Sequence, residues 1–427
     1  MNLVQTLRQR SELQPGVPAL IEPGLLGDAS LSYSGLNRLV DYLSFDLREK
    51  DLQCGDRILI AIPPSQEMYG YLLAALQIGA IPILYDRSSR GDEFVTWIDA
   101  LEPKGCIISR RSWVTARFDG VVKSIPIKIF VGRVRPEARW LRLGKLGTIE
   151  ECPGDSPALI FLVHEPSDQV SFRVWSQEQL QESIQLLISQ LKLKAGEIDL
   201  CASSLNLLAN LAAGLTSMIP ARFGRSLGRQ VEKFKPTRIA AESSLVRDLL
   251  RKPVSPLHKV FITDAPLEQK EIDYFADCVQ RANIELIFYG DLPLASISLG
   301  EYQRKDNATL IGSFHASVEA RVSSYKERGR LEDEHRGSST GASADRIGQL
   351  LIRGPFLPHR QSLAEFLQEG FSTLSSSGSE WWSTGVSGYF DEQSRFWITE
   401  RLPDSTQQYP QKEITGPDGD QTDNPMP

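Results

Sequence analysis

Ala158-Leu-Ile-Phe-Leu-Val-His-Glu-Pro-Ser-Asp-Gln-Val-Ser-Phe-Arg-Val-Trp175 carries two apolar runs joined by a polar loop, and a helix-like stretch, 177–191, follows. Short unbroken apolar runs bounded by polar residues suit buried strands, and longer periodic ones suit helices. The order is therefore strand, loop, strand, helix. A loop that holds a nucleotide's phosphates in such a place carries glycines and a lysine. This one has neither.

Outward from that stretch the same alternation recurs. On the N-terminal side, 36–49 is amphipathic, 57–62 is a short apolar strand, 68–78 a helix, 81–85 a strand and 105–109 another. Asp28, Ser30 and Ser34 offer turn and cap chemistry around Leu31. On the C-terminal side, 207–218 reads as a small-residue helix, and 238–241, 243–250, 259–263, 268–281 and 284–289 continue strand and helix by turns. Such alternation points to parallel α/β units. From about 305 the texture changes to short alternating runs such as 318–323 and 349–353, which fits a small β-rich unit. Residues 327–345 and 372–379, rich in charge or in Ser and Gly, read as mobile loops, and the proline-bearing polar stretch from 402 as a disordered tail. The expected division is 1–150 as a first α/β subdomain, 151–304 as a second, 305–401 as a small β-rich one and 402–427 as tail.

A chain of 427 residues suits about two to three domains. Its net charge of -7 supplies no cationic field for nucleic acid or an anionic membrane. The five cysteines, Cys54, Cys106, Cys152, Cys201 and Cys278, include no C-x-x-C pair, so they read as reduced thiols in a cytoplasmic protein. The first residues lack a secretory apolar segment. The run 69–84 is broken by Gly79 and Pro82 and reads as a buried helix and strand, not as a membrane span. His164, His258, His315, His335 and His359 never fall at metal-ligand spacing. Arg222, Arg225 and Arg229 read as a solvated face, and Trp381-Trp382 as core, with partner contact as the alternative for both.

Several pieces, in order, resemble one family. Leu31-Ser-Tyr-Ser-Gly-Leu-Asn-Arg38 is similar to an "LTYAELNRR" entry motif, and it is followed by Gly55-Asp-Arg-Ile-Leu-Ile-Ala-Ile-Pro-Pro64 and Leu73-Ala-Ala-Leu-Gln-Ile-Gly-Ala-Ile-Pro82. Later come Tyr289-Gly290, Gly348-Gln-Leu-Leu-Ile-Arg-Gly-Pro355 and Trp382-Ser-Thr-Gly-Val-Ser-Gly-Tyr-Phe-Asp391. Over about residues 15–401 the chain resembles the AMP-forming adenylate ligases, which include acyl-CoA synthetases and peptide-synthetase adenylation domains. Leu292-Pro-Leu-Ala-Ser-Ile297 looks most like the branch that activates fatty acids and, in olefin biosynthesis, β-hydroxy acids for β-lactone formation. The resemblance implies two doubly wound α/β subdomains and a small distorted-barrel subdomain, the N-terminal architecture of those ligases.

The same resemblance implies an ATP loop, T-S-G-S-T-G-x-x-K-G-V, and the opening stretch lies against it without a gap. Val163, His164, Glu165, Pro166, Ser167, Asp168, Ser171 and Phe172 stand where Thr, Ser, Gly, Ser, Thr, Gly, Lys and Gly are expected. Glycines that let backbone N–H groups approach a phosphate are replaced, and so is the lysine. A carboxylate about 4 Å from a phosphate costs roughly 4 kcal/mol at an effective dielectric of ~20, against about 1.5–3 kcal/mol for one lost charge-assisted hydrogen bond. Glu165 and Asp168 thus weigh more than the missing lysine, and Pro166 removes a donor. The family's magnesium-binding Glu after Tyr-Gly-x-Thr is absent, with Asp291 as the nearest carboxylate, and its ribose-binding Asp after Thr-Gly is replaced by Val386. Asp264 stands at an adenine-pocket glycine. A C-terminal lid with its lysine is expected to be missing after Glu400-Arg401.

No catalytic or metal-binding residue is therefore assigned. Tyr289, Gly290, Gly385 and Arg401 match the family's adenine and ribose neighbours and form the expected vestigial nucleotide pocket; Tyr389 and Asp391 also match. Each has a structural alternative: a turn for the glycines, core for Tyr389, a hairpin for Asp391. ATP or AMP and magnesium are implied as cofactors only if that pocket still works. The expected function is that of a degenerate relative, a pseudoenzyme of lipid metabolism that binds or regulates a partner enzyme of acyl metabolism. The alternatives are a divergent active acyl-adenylate or acyl-CoA ligase, and a non-catalytic protein that keeps an acyl-chain ligand in a pocket lined by 200–220.

Overall fold

The structure, a computed structural model, describes residues 3–24, 28–85, 92–109, 121–131, 147–164, 170–201, 203–221, 224–251, 257–263, 267–282, 285–289, 295–305, 308–324, 347–361 and 381–399. The segments 327–345 and 372–379 and the tail from 402 lie outside these residues.

Among the described residues two sheets carry the fold. The first has seven strands in the order His359–Gln361, Val170–Ser176, Pro157–His164, Ile81–Tyr85, Arg57–Ala61, Gly105–Ser109, Ile127–Val131. Its strands from Pro157–His164 onward are parallel, and the hairpin partner Val170–Ser176 is antiparallel. The second has a parallel set ordered Pro18–Glu22, Thr216–Met218, Ile198–Cys201, Arg238–Ala241, Lys259–Ile262, Glu285–Tyr289. Ala295–Ser298 then pairs antiparallel with Glu285–Tyr289 and leads into the β-rich strands between Ala308 and Thr399. The mixed α/β class with a β-rich appendage is thus the one the alternation of periods implies.

Strands are not shared out in chain order. Pro18–Glu22 and Ala29–Ser32 join the second sheet, whereas Pro157–Ser176 completes the first. Between the sheets lie the helices Tyr33–Glu49, Gln66–Gln77, Gln177–Gln190 and Ser204–Ala213, and one core cluster runs from Ile58, Ile60 and Leu159 on one sheet to Leu20, Ala240 and Phe261 on the other. The outer face of the first sheet packs on Asp92–Ala100, and that of the second on Gly224–Phe234, Ser243–Leu250 and Gln269–Ala282. Burial of these inward faces is the main stabilising term, at roughly 25 cal/mol per Å² of apolar surface removed from water.

Local chemistry explains where elements start and stop. Ser32, not its neighbours Ser30 or Ser34, caps the helix Tyr33–Glu49 by accepting the Gly35 N–H at 3.1 Å. Asp28 instead accepts from Lys233 Nζ at 2.8 Å. Ser176 and Gln179 form a reciprocal capping box at the start of Gln177–Gln190. The helix expected over 207–218 is shorter. It ends at Ala213 because Gly214 takes a left-handed φ of 87°, and Thr216–Met218 is a buried strand. Apolar small residues fit both elements, so periodicity missed the break. The run 69–84 is a helix and a strand, as expected, and no helix among the described residues is long and apolar enough to cross a membrane.

Candidate functional site

The stretch around Val163 forms an antiparallel hairpin at one side of the first sheet, in register Val163↔Ser171 and His164↔Val170. The connection 165–169 lies outside the described residues, so Glu165, Pro166 and Asp168 are known only by their place between paired strands. The flanking positions are better defined. Phe172, at the place of a family glycine, is fully buried and meets Trp97 edge-on, with ring centroids 4.7 Å apart and planes at 82°. This side chain is part of the core beneath the helix Asp92–Ala100. Alternation along the strand sends Arg173 to the opposite face, where its guanidinium lies 5.9 Å from the Trp382 ring centroid.

Tyr289 ends the strand Glu285–Tyr289, and its backbone pairs with Ser296. It stands at the carboxyl end of the parallel set, where open α/β sheets offer a ligand crevice. Gly290, Asp291, Asp264 and Arg401 lie outside the described residues. Gly385 is within the strand Trp382–Phe390, at an irregularity in its pairing with Gly348–Arg353. There Thr384 Oγ1 donates to Leu350 O at 3.0 Å and accepts the Val386 N–H at 3.1 Å. Val386, at the ribose-aspartate place, packs against the apolar cluster around Leu350 and Ile352. Tyr289 and Gly385 belong to one sheet with three strands between them.

Asp391 and Tyr389 have structural work. Asp391 accepts from the Trp397 indole at 3.0 Å, from Arg395 Nε at 2.9 Å and from the backbone N–H groups of Gln393 and Arg395. Burial pushes its carboxyl up, but these hydrogen bonds prevail and hold it below the usual range. Tyr389 stacks on Trp397 with planes 2° apart. Trp381 and Trp382 are half-buried, and Arg321 and Arg353 lie over the Trp381 ring at 4.2 and 5.0 Å. Arg229 is exposed, Arg222 lies outside the described residues, and no cluster of three potential metal ligands occurs among the described residues.

Three polar constellations have almost no local signature in the sequence. Arg238 and Asp199 are register neighbours with no exposed surface. Arg238 donates to Leu191 O at 2.9 Å and Glu197 Oε2 at 3.0 Å and lies 4.8 Å over the Phe261 ring. Burial pushes the Asp199 carboxyl up, against the opposing pull of Arg238 and of the Asn210 amide at 2.7 Å. Glu22 and Glu67 meet beside the start of the helix Gln66–Gln77. Cys54 and Cys152, 98 residues apart, bring their sulfurs to 3.8 Å. Each depends on contacts between segments distant in sequence; only Arg238, a cation inside the apolar strand Arg238–Ala241, carries a hint.

The comparisons agree with this architecture. A model of the family described as AMP-binding enzyme matches residues 7–151. An olefin β-lactone synthetase from Stenotrophomonas maltophilia is 22% identical over a 453-residue alignment covering 94% of this chain and 79% of that protein. The pseudomonine synthase PmsE from Pseudomonas entomophila is 32% identical over 165 residues, 36% of this chain and 25% of that protein. Among solved structures, the N-terminal domain of FACL13 from Mycobacterium tuberculosis superposes with TM-score 0.75 at 17% identity, covering 94% of this chain and all of that one. A long-chain-fatty-acid-CoA ligase, FadD1, from Archaeoglobus fulgidus gives TM-score 0.76 at 15% identity, covering 94% of this chain and 84% of that one. Residues 7–151 match the AMP-binding enzyme family, and over most of its length the chain is similar to proteins of the AMP-forming adenylate ligase superfamily. The sequence similarity extends to a protein named olefin β-lactone synthetase, and the fold is shared with the N-terminal domain of fatty acyl-CoA ligases.

Proposed function

We propose that this chain is a degenerate acyl-adenylating enzyme that keeps the ligase fold to bind or regulate a partner enzyme of acyl metabolism. One observation carries the reading. The sequence between Pro157–His164 and Val170–Ser176, which lies against the family's ATP loop, holds Glu165, Pro166 and Asp168 and neither glycine nor lysine. Two carboxylates there oppose a triphosphate, and single electrostatic groups in active sites are often worth about 100- to 1,000-fold in rate. Phe172 and Val386 support the same reading, because residues at two further family site positions serve apolar packing.

The chemistry that an intact site of this class performs is attack of a carboxylate on the α-phosphorus of ATP, with pyrophosphate leaving. ATP and magnesium would supply the leaving group and its charge neutralisation. Here Tyr289, with Gly290 and Gly385, would flank the base, and no described residue supplies a positive charge to the phosphates in the lysine's place, which Ser171 occupies. The alternative of a working ligase draws on the relative named olefin β-lactone synthetase, whose alignment spans nearly the whole chain.

ATP–pyrophosphate exchange in pure protein, across fatty and β-hydroxy acids, decides between them. No exchange and no thermal shift with about 1 mM Mg-ATP are expected, a concentration near the top of the usual KM range. Measurable exchange with any acid would sink the proposal. Binding of long-chain acids or acyl thioesters without exchange would move it to an acyl-binding protein.

A further inference from the structure

Cys54 and Cys152 stand apart from the site discussed above. Cys54 lies in the turn between Tyr33–Glu49 and Arg57–Ala61, and its thiol is exposed. Cys152 belongs to the irregular strap 147–156 that feeds the strand Pro157–His164. The strap is laid across helix ends by hydrogen bonds: Glu150 N–H donates to Gln77 O at 2.8 Å, Gly147 N–H to Asp41 Oδ1 at 3.0 Å, and Arg48 to Thr148 O at 3.1 Å. On the other side, Gly55 N–H donates to Gly79 O at 2.9 Å. Gly79, with φ +72°, lies under both sulfurs; a Cβ there would sit 2.8 Å from Cys152 Sγ and 2.9 Å from Cys54 Sγ. The junction therefore has room for two thiols and no side chain between them. Cys106, Cys201 and Cys278 are all buried.

From the 3.8 Å approach of the sulfurs and the exposure of one of them, we propose that Cys54 and Cys152 are a redox pair that a small-molecule disulfide, such as oxidised glutathione, closes reversibly, fastening the strap to the turn. The sulfurs need to close by about 1.8 Å to reach bonding distance. The exposed Cys54 thiolate attacks one sulfur of the oxidant, breaks its S–S bond and releases one glutathione thiolate. Cys152, having lost its proton to solvent, then attacks Cys54 Sγ in the mixed disulfide and releases the second. Two protein thiols lose two protons and two electrons, and one external disulfide is reduced to two thiols. Burial, with the neighbouring Cys54 adding to it, pushes the Cys152 thiol up to about 11. Cys152 is accordingly the resolving member and not the point of entry.

The folded chain should be incubated with oxidised glutathione, its remaining thiols alkylated after unfolding, and its peptides weighed. The expected result is a mass loss of about 2 Da per chain and a Cys54–Cys152 cross-linked peptide, reversed by dithiothreitol, with Cys106, Cys201 and Cys278 alkylated. Cys152→Ser should stop at one glutathione on Cys54, and Cys54→Ser should take up at least tenfold less. Both being alkylated without linkage, or cross-links spread over all five cysteines, would overturn the pair. The oxidised chain should melt up to about 5 °C higher, since the bond closes a long loop of the unfolded chain. An unchanged Tm in a fully cross-linked sample would overturn the fastening role.

Discussion

Replacing Glu67 by Gln should stabilise this protein increasingly as pH rises above about 4.5, and fully once it has passed about 7. Glu67 lies in the first turn of the helix Gln66–Gln77, and Glu22, at the end of Pro18–Glu22, accepts the Gln66 N–H at 2.8 Å. Burial pushes the Glu67 carboxyl from 4.5 up to about 7, and the charge of Glu22 pushes in the same direction. Glu22 is itself raised, because burial outweighs the hydrogen bond from Gln66. The rise from 4.5 to about 7 sets a ceiling of about 3 kcal/mol. Glu67 is only partly buried, and solvent screening brings this to about 1–2 kcal/mol.

The sign follows from proton linkage. The folded state holds the Glu67 proton more tightly than the unfolded state, so the contribution is complete below about pH 4.5 and is lost as pH rises through about 7. A glutamine is neutral throughout. Urea unfolding of both proteins, followed by tryptophan fluorescence, should give equal stabilities near about pH 4 and a variant more stable by about 1–2 kcal/mol near about pH 8.5. Glu22→Gln should move the midpoint of this difference toward a normal carboxyl. A difference that is constant with pH, or that favours the wild type at high pH, would refute the reasoning.

Two core substitutions test how the interior is packed. Arg238→Ala removes the cation from a fully buried pair with Asp199 and should cost about 3–5 kcal/mol in denaturant unfolding, whereas Arg238→Met should cost less because it refills the space over Phe261. Phe172→Gly restores the residue type found in the family's ATP loop but empties the space beside Trp97, so it should destabilise by about 3–5 kcal/mol without creating ATP binding, read by thermal melts with and without Mg-ATP.

Local chemistry reaches far in this chain. The alternation of strand and helix, the helix that follows Ser176 and the two strands on either side of 165–169 are all written in neighbouring residues, because hydrophobic period acts within a few positions. That the stretch lying against the family's ATP loop carries Glu165, Pro166 and Asp168 is equally legible, since charge and backbone donors are properties of residue types. Where two local readings compete, the sequence is mute. The small apolar residues around Gly214 suit one long helix or a helix and a strand, and only the packing of Thr216–Met218 between Pro18–Glu22 and Ile198–Cys201 selects the second.

Tertiary structure alone decided which sheet each strand joined, since hydrogen-bond partners are chosen by faces that must be buried together and not by order in the chain. It also decided that Phe172 is core beside Trp97, that Asp391 anchors a hairpin, and that Glu22 meets Glu67 and Cys54 meets Cys152. Titration and redox chemistry depend on distance and burial, which residues far apart in sequence acquire only when the chain folds.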